Sequence, residues 1–256
     1  NMVAAAAGMA SVGKKPFVFT AGAFLAYRSM EFIRDDVCFQ NLNVKIVGMG
    51  SGLSWSSLGP THHTTEDISV LRAIPNLMIL SPATPRQVVA CVQTAYEHDG
   101  PVYIKIGMNH EKEYFEDNYV HDIKKSDCLR EGKNIAVFVT GSILEEAVKT
   151  CEMLEQDGIS AKLINVTTIK PFNEKEVIDI VKEIDKVAVI EEHNIHGGLA
   201  SIISETITYN GLEARVIPIG LNDTFAEGYG TYAMVRKANQ LDAINIYRRM
   251  KEAYEE

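Results

Sequence analysis

The chain has 256 residues, 46% of them hydrophobic, with a formal charge of −9 and an isoelectric point near 5.3. That apolar fraction builds one large or two ordinary packed domains and excludes a chain that is mainly disordered. The acidic balance lacks the clustered Lys and Arg that nucleic acid requires, and no apolar run approaches the roughly 20 residues that span a bilayer, so a soluble, cytoplasmic protein is expected.

In chain order, "NMVAAAAGMASVGKKP" is Ala-rich with helical spacing. It opens without a helix cap, a charged signal region or a starting Met, and is expected to come from within a longer chain. Strands are predicted over Phe17–Thr20, Val44–Val47, Leu77–Leu80 and Val102–Ile106, with helices over Ala23–Arg34, Thr65–Ala73 and Pro85–Glu97. Continuous apolar strands separated by helices imply a parallel sheet covered on both faces. From Asn109 to Lys133 the pattern dissolves into a polar stretch, read as a linker. Alternation then resumes with strands Ile135–Val139, Ala161–Asn165, Lys186–Ile190 and Ala214–Pro218. The helices between them are Ile143–Gln156, Glu174–Glu183 and Leu199–Thr208, with a final helix from about Leu241. Two parallel-sheet α/β domains are expected, residues 1–120 and 121–256. Cys38, Cys91, Cys128 and Cys151 lack C-x-x-C spacing and are expected to be free thiols of a reducing compartment.

Three groups of residues carry candidate chemistry. In "LGPTHHTTED" the adjacent His62 and His63 follow a Gly-Pro turn. A zinc site needs three or four ligands, and nothing comparable stands nearby, so no metal is expected there. Thr65, Glu66 and Asp67 fit a helix start, a hydroxyl near the cap and carboxylates in the first turn. In "GAFLAYRSM", Phe24, Tyr27 and Met30 fall at i, i+3 and i+6, roughly one helical face, which reads either as core or as the wall of an aromatic slot. In "EEHNIHGGLAS" two acids, two histidines and a Gly pair precede a helix whose N-terminus could hold an anion.

Taken together, "TAGAFLAYRSMEFIRDDV", "GLSWSSLGPTHHTTEDISVLRAIPNLMILSPATP" and "EEHNIHGGLAS" resemble the C-terminal half of the transketolase family of thiamine-diphosphate enzymes. The resemblance covers essentially the whole chain, a pyrimidine-binding domain followed by the family's C-terminal domain. It implies a transferase that moves a two-carbon ketol unit between small ketose and aldose-type molecules. It implies thiamine diphosphate as cofactor, with the diphosphate and Mg²⁺ held by a pyrophosphate-binding subunit or domain that this chain lacks, and homodimerisation within a larger assembly. By similarity Phe24, Tyr27 and Met30 line the pyrimidine slot, His62 faces the reacting centre, and His63 stands beside it as a substrate contact. The family's activating Glu would lie just upstream of Asn1-Met2. Arg72 and Asn76 are expected to hold the turn and the domain contact, and His193 and His196 to be structural or interface residues.

The chain departs from the sugar-phosphate pattern at three places. Leu58 stands where an acidic residue reads a donor hydroxyl, Gly50 where a further histidine is usual, and Met108 near an Arg that grips substrate phosphate. Neither Leu nor Met can replace those polar contacts. Two other readings are weighed: the beta subunit of a 2-oxo-acid dehydrogenase, which "GPTHH" and "RAIPN" disfavour, and a non-catalytic scaffold that kept the fold.

Overall fold

The computed structural model describes residues 1–256. Helix α1 (Met2–Ser11) turns Val3, Ala6, Ala7 and Ala10 inward, the i, i+3, i+4, i+7 stripe of a helix lying on a core. Strands β1 (Phe17–Ala21), β2 (Lys45–Met49), β3 (Met78–Leu80) and β4 (Val102–Ile106) follow, with α2 (Asp67–Arg72) and α3 (Pro85–Glu97) between them. Thr84 caps α3 by accepting from the Gln87 N–H, and Pro85 takes the first helical position, where its missing donor costs nothing. The stretch expected as an ordinary helix at 23–34 instead contains two π-helical segments, Phe24–Arg28 and Phe32–Cys38.

The second half holds β5 (Asp127–Arg130), β6 (Ile135–Thr140), α4 (Leu144–Gln156), β7 (Ala161–Asn165), β8 (Thr168–Lys170), α5 (Glu174–Val181) and β9 (Lys186–Asn194). It ends with α6 (Leu199–Tyr209), β10 (Arg215–Leu221), α7 (Tyr232–Ala238) and α8 (Ala243–Glu255). The sheets run β1-β2-β4-β3-β8 and β10-β9-β6-β7-β5. The pairs β1/β2, β2/β4, β3/β4, β6/β7, β6/β9 and β9/β10 are parallel, the α/β arrangement expected from buried apolar runs joined by helices.

Three elements depart from expectation. The supposed linker carries β5, antiparallel on β7, although its Asp-Cys-Leu-Arg sequence is too short and polar to signal a strand. Strand β8, also unforeseen, leaves the second half to pair antiparallel with β3 of the first sheet. Helix α7 was likewise not anticipated. One buried apolar cluster runs from Val3 and Ile46 of the first half to Phe138, Val189 and Ile203 of the second, so the halves share a core.

Candidate active site

The carboxyl ends of β1 and β2, where open α/β sheets place their ligands, lead into the two segments that carry the candidate residues. After β1 the chain enters the π-helical turn Phe24–Arg28, which leaves the Phe24 and Tyr27 rings 46% and 37% exposed. A π turn is wider than an α turn, so residues three apart no longer stack along one stripe. Met30 turns away from the open rings and packs, partly buried, against the main core.

After β2 the chain loops through Gly50–Glu66. Gly50 adopts φ +79°, a left-handed conformation that favours glycine, and a Cβ there would overlap the Trp55 indole nitrogen. Trp55 therefore fills the space that a histidine at position 50 would need. The His62 ring lies 5.0 Å from that of Phe24, edge to face, and 6.3 Å from that of Trp55. Its Nδ1 is 2.9 Å from the Thr61 hydroxyl. His63 differs: it is buried, neither ring nitrogen has a hydrogen-bond partner, and burial pushes its imidazole below the ordinary range, with the Glu192 charge partly opposing.

Tyr27 joins the two segments. Its hydroxyl donates to Glu66 Oε2 at 2.7 Å and accepts from the Glu66 N–H at 3.0 Å. Although Tyr27 stays partly exposed, burial of its hydroxyl, then the charges of Asp67 and Glu66, raise the phenol well above its usual value. Glu66 thus serves Tyr27, and Thr65 does not cap α2; its hydroxyl donates to Glu66 Oε1 at 2.7 Å.

Beneath the loop lies a buried ionic knot. Asp67, fully buried, accepts from Lys105 Nζ at 2.5 Å and from the Tyr103 hydroxyl at 2.7 Å, while Lys105 also donates to the Thr64 carbonyl at 2.9 Å. Sequence reasoning missed this knot and Trp55. A lone Lys inside "VYIKI" was a usable signal, because a buried Lys needs a partner.

The second half grips this loop from behind. Glu192 accepts from the Leu53 N–H at 3.1 Å, and the Gly230 carbonyl accepts from the Ser56 hydroxyl at 2.9 Å. Arg72 of α2 pairs with Glu205 and donates to the Gly197 carbonyl, and Ser69 donates to the His196 carbonyl at 2.6 Å, whereas Asn76 donates to the Cys38 carbonyl at 3.0 Å within the first half and makes no such contact between the halves. His193 is buried against Ser69. The N-terminus of α6 does not await an outside anion: Glu191 accepts from the Leu199 and Ala200 N–H groups at 2.8 and 2.9 Å. No group of three or more His, Cys, Asp or Glu side chains comes together to hold a metal, and no helix is long and apolar enough to cross a membrane.

Burial also depresses His121, whose ring nitrogens meet the Thr94 and Thr168 hydroxyls at 3.0 and 2.9 Å. For His63 and His121 the unfolded chain, titrating near 6.5, binds protons more readily than the folded one. Their contribution to stability is complete above about pH 6.5 and is lost as pH falls through that value toward the folded pKa values. The melting temperature should therefore fall between pH 7.5 and 5.5, and the His121→Asn chain should show a shallower fall; parallel profiles would contradict this.

Known proteins share this succession of two α/β domains. Residues 1–108 match the pyrimidine binding domain of transketolase and residues 124–246 match the transketolase C-terminal domain. The chain belongs to the transketolase family and corresponds to its C-terminal section. It is 34% identical over 254 residues to a putative transketolase C-terminal section of Methanocaldococcus jannaschii, covering 98% of this chain and 79% of that one. Identity to one of the subunits of the apulose-4-phosphate transketolase of Actinobacillus succinogenes is 33%, covering 96% and 79%. A 6-deoxy-6-sulfo-D-fructose transketolase subunit of a Clostridium species is 32% identical, covering 97% and 80%. Among solved structures, a split-gene transketolase described as an inactive beta4 tetramer superposes with a TM-score of 0.91 at 30% identity, over 100% of this chain and 81% of that one.

Proposed function

We propose that the chain is the pyrimidine-binding subunit of a thiamine-diphosphate-dependent ketol transferase, active with a separate pyrophosphate-binding partner. The observation that carries this is the exposed Phe24 ring, 5.0 Å from that of His62, with the exposed Tyr27 ring in the same π-helical turn. An aromatic aminopyrimidine fits such a surface. When bound, the cofactor would supply a thiazolium ring whose C–H is acidic, giving on deprotonation a nucleophile toward ketones and an electron sink. Phe24 and Tyr27 would form the pyrimidine wall, with Met30 behind it as support, and the bond from Glu66 would hold the Tyr27 ring at a set angle. His62 would give or take a proton at the donor's carbonyl or hydroxyl oxygen. Enclosed and without partners, His63 would act by shape and polarity behind His62, next to substrate only through it.

The diphosphate and Mg²⁺ are assigned to the partner; relatives that are themselves single subunits of a transketolase support such a division. Two or more copies of each subunit, with cytoplasmic location, complete the reading, and the boundary between its two domains is placed near residue 120. Most of the cofactor's binding energy should come from its charged end, which an apolar wall cannot replace. Calorimetry with thiamine diphosphate and Mg²⁺ should find no micromolar binding to the isolated chain and clear binding once the partner subunit is added. Micromolar binding by the isolated chain would place the cofactor site elsewhere.

Met108 and Leu58 are 44% and 45% exposed and offer no charge to a substrate. A charge-assisted contact contributes roughly 1.5–3 kcal/mol, so phosphorylated ketoses should not exceed their unphosphorylated counterparts by a hundredfold as donors. Such a preference in competition assays would require a cation from the partner at that position.

A further inference from the structure

The loop that carries His62 is closed at its base by an isolated antiparallel bridge between Gly52 and Thr64, whose N–H donates to the Gly52 carbonyl at 2.9 Å. Within it the His62 and His63 N–H groups converge on the Gly59 carbonyl, at 2.9 and 3.2 Å. Because the His62 side chain hydrogen-bonds only to the neighbouring Thr61, the place of its ring follows the backbone of this loop. We propose that Glu192, on β9 of the second half, is a positioning residue for the reaction: it fixes the base of the loop and through it the place of His62. That role rests on the reading of the chain as a ketol-transferase subunit with His62 at the reacting centre.

Both arms of the base meet β9. Glu192 Oε2 accepts from the Leu53 N–H at 3.1 Å, and further along the strand the Asn194 N–H donates to the Thr65 carbonyl at 2.8 Å. Leu53 and Thr65 are buried, so bulk water does not replace a partner lost there. The approach is close: Gly52 adopts φ +55°, and a Cβ on it would overlap the Glu192 side chain. A shift of the carboxylate is therefore felt directly at the residue that closes the loop.

The carboxylate is itself held by the second half. The Tyr232 hydroxyl donates to it, 2.6 and 2.8 Å from its two oxygens, and Arg236 Nε donates to Oε1 at 2.5 Å. Arg236 is tied in turn to the Ser142 carbonyl at 2.7 Å and lies over the Tyr232 ring, 3.8 Å from its centroid. Glu192 is buried, and Leu53, Tyr232 and Arg236 all donate to it, a demand that an acceptor-only carboxylate meets. A glutamine of the same shape has one acceptor oxygen. Turned to Arg236, it points its NH2 group at the Leu53 N–H; turned to Leu53, it points that group at Arg236. The charged donor makes the stronger bond, so Glu192→Gln keeps Arg236 and releases Leu53.

A double-mutant cycle on the assembled enzyme, the chain with its pyrophosphate-binding partner and hydroxypyruvate as ketol donor, tests this. Glu192→Gln should lower kcat at least about fivefold while KM and the cofactor titration stay within about twofold. In the His62→Ala background the same change should cost less than about twofold, because a residue that acts through His62 then has nothing left to position. A brace for the fold alone would cost the same in both backgrounds. Should Glu192→Gln fail to fold, Tyr232→Phe removes one support of the carboxylate without stranding a charge, and its loss of at least about threefold should vanish with His62 in the same way. On the chain alone, Glu192→Gln should shift the His62 ring-proton NMR signals, assigned by their absence from His62→Ala, and leave unmoved those of His98, which precedes the amino end of β4. No turnover by the parent would overturn the transferase reading and this role together. Turnover by the parent with equal losses in both backgrounds, an unaltered kcat, or unmoved His62 signals would overturn the role of Glu192 and leave that reading intact.

Discussion

Asp67→Ala is expected to destabilise the protein by about 3–5 kcal/mol, the cost of stranding one member of a buried ion pair. Lys105 and Asp67 are 4% and 0% exposed, and no water-facing route lets either side chain regain its solvation without moving the strand or the loop. The same knot supplies the Thr64 carbonyl with its donor and Tyr103 with its acceptor, so the loss spreads into the loop that carries His62. Lys105→Met should be comparably harmful. The double variant Asp67→Asn, Lys105→Met should recover a large part of the loss, because two neutral partners strand no charge. Urea unfolding of the parent and these variants measures the coupling. Single-variant losses under about 1 kcal/mol would mean that the pair is solvated and does not brace the loop.

His62→Ala is expected to lower turnover of the assembled enzyme at least tenfold, about 1.4 kcal/mol of transition-state stabilisation, while cofactor affinity stays nearly unchanged. The ring is half-exposed, its only side-chain hydrogen-bond neighbour is Thr61, and its other contacts are to the faces and edges of Phe24 and Trp55. Removing it opens no core cavity, so a rate loss would report chemistry at the site. The tenfold loss should appear in kcat with the cofactor titration unmoved. Unchanged steady-state rates would remove His62 from the reaction, and a parallel loss of cofactor affinity would make it part of the pyrimidine wall.

Much of the fold was legible because its signals are local. The apolar runs at Val102–Ile106 and Ala161–Asn165 are strands with those bounds, and Pro85–Glu97 is a helix with a Thr-Pro start and a periodic apolar face. Short polar β5 and three-residue β8 gave no such signal; each forms because a neighbouring strand offers an unpaired edge, a property of the sheet and not of the segment. The aromatic stripe at Phe24, Tyr27 and Met30 was visible as spacing, yet α-helical spacing could not say that the turn is π-helical, which opens Phe24 and Tyr27 and sends Met30 to the core.

By itself the sequence determined the α/β class, the order of the longer strands and helices and the segments that carry the candidate residues, since apolar periodicity, caps and a long specific motif all act within a few residues of one another. Only the tertiary structure decided which polar residues are partners. Asp67 and Lys105 lie 38 positions apart, Tyr27 and Glu66 lie 39, and Leu53 and Glu192 lie 139. Taken singly, the carboxylates of Asp67, Glu66 and Glu192 read as solvated. It is exclusion of water by strands and loops from distant parts of the chain that forces them to pair, and that places Trp55 where a side chain at position 50 would otherwise stand.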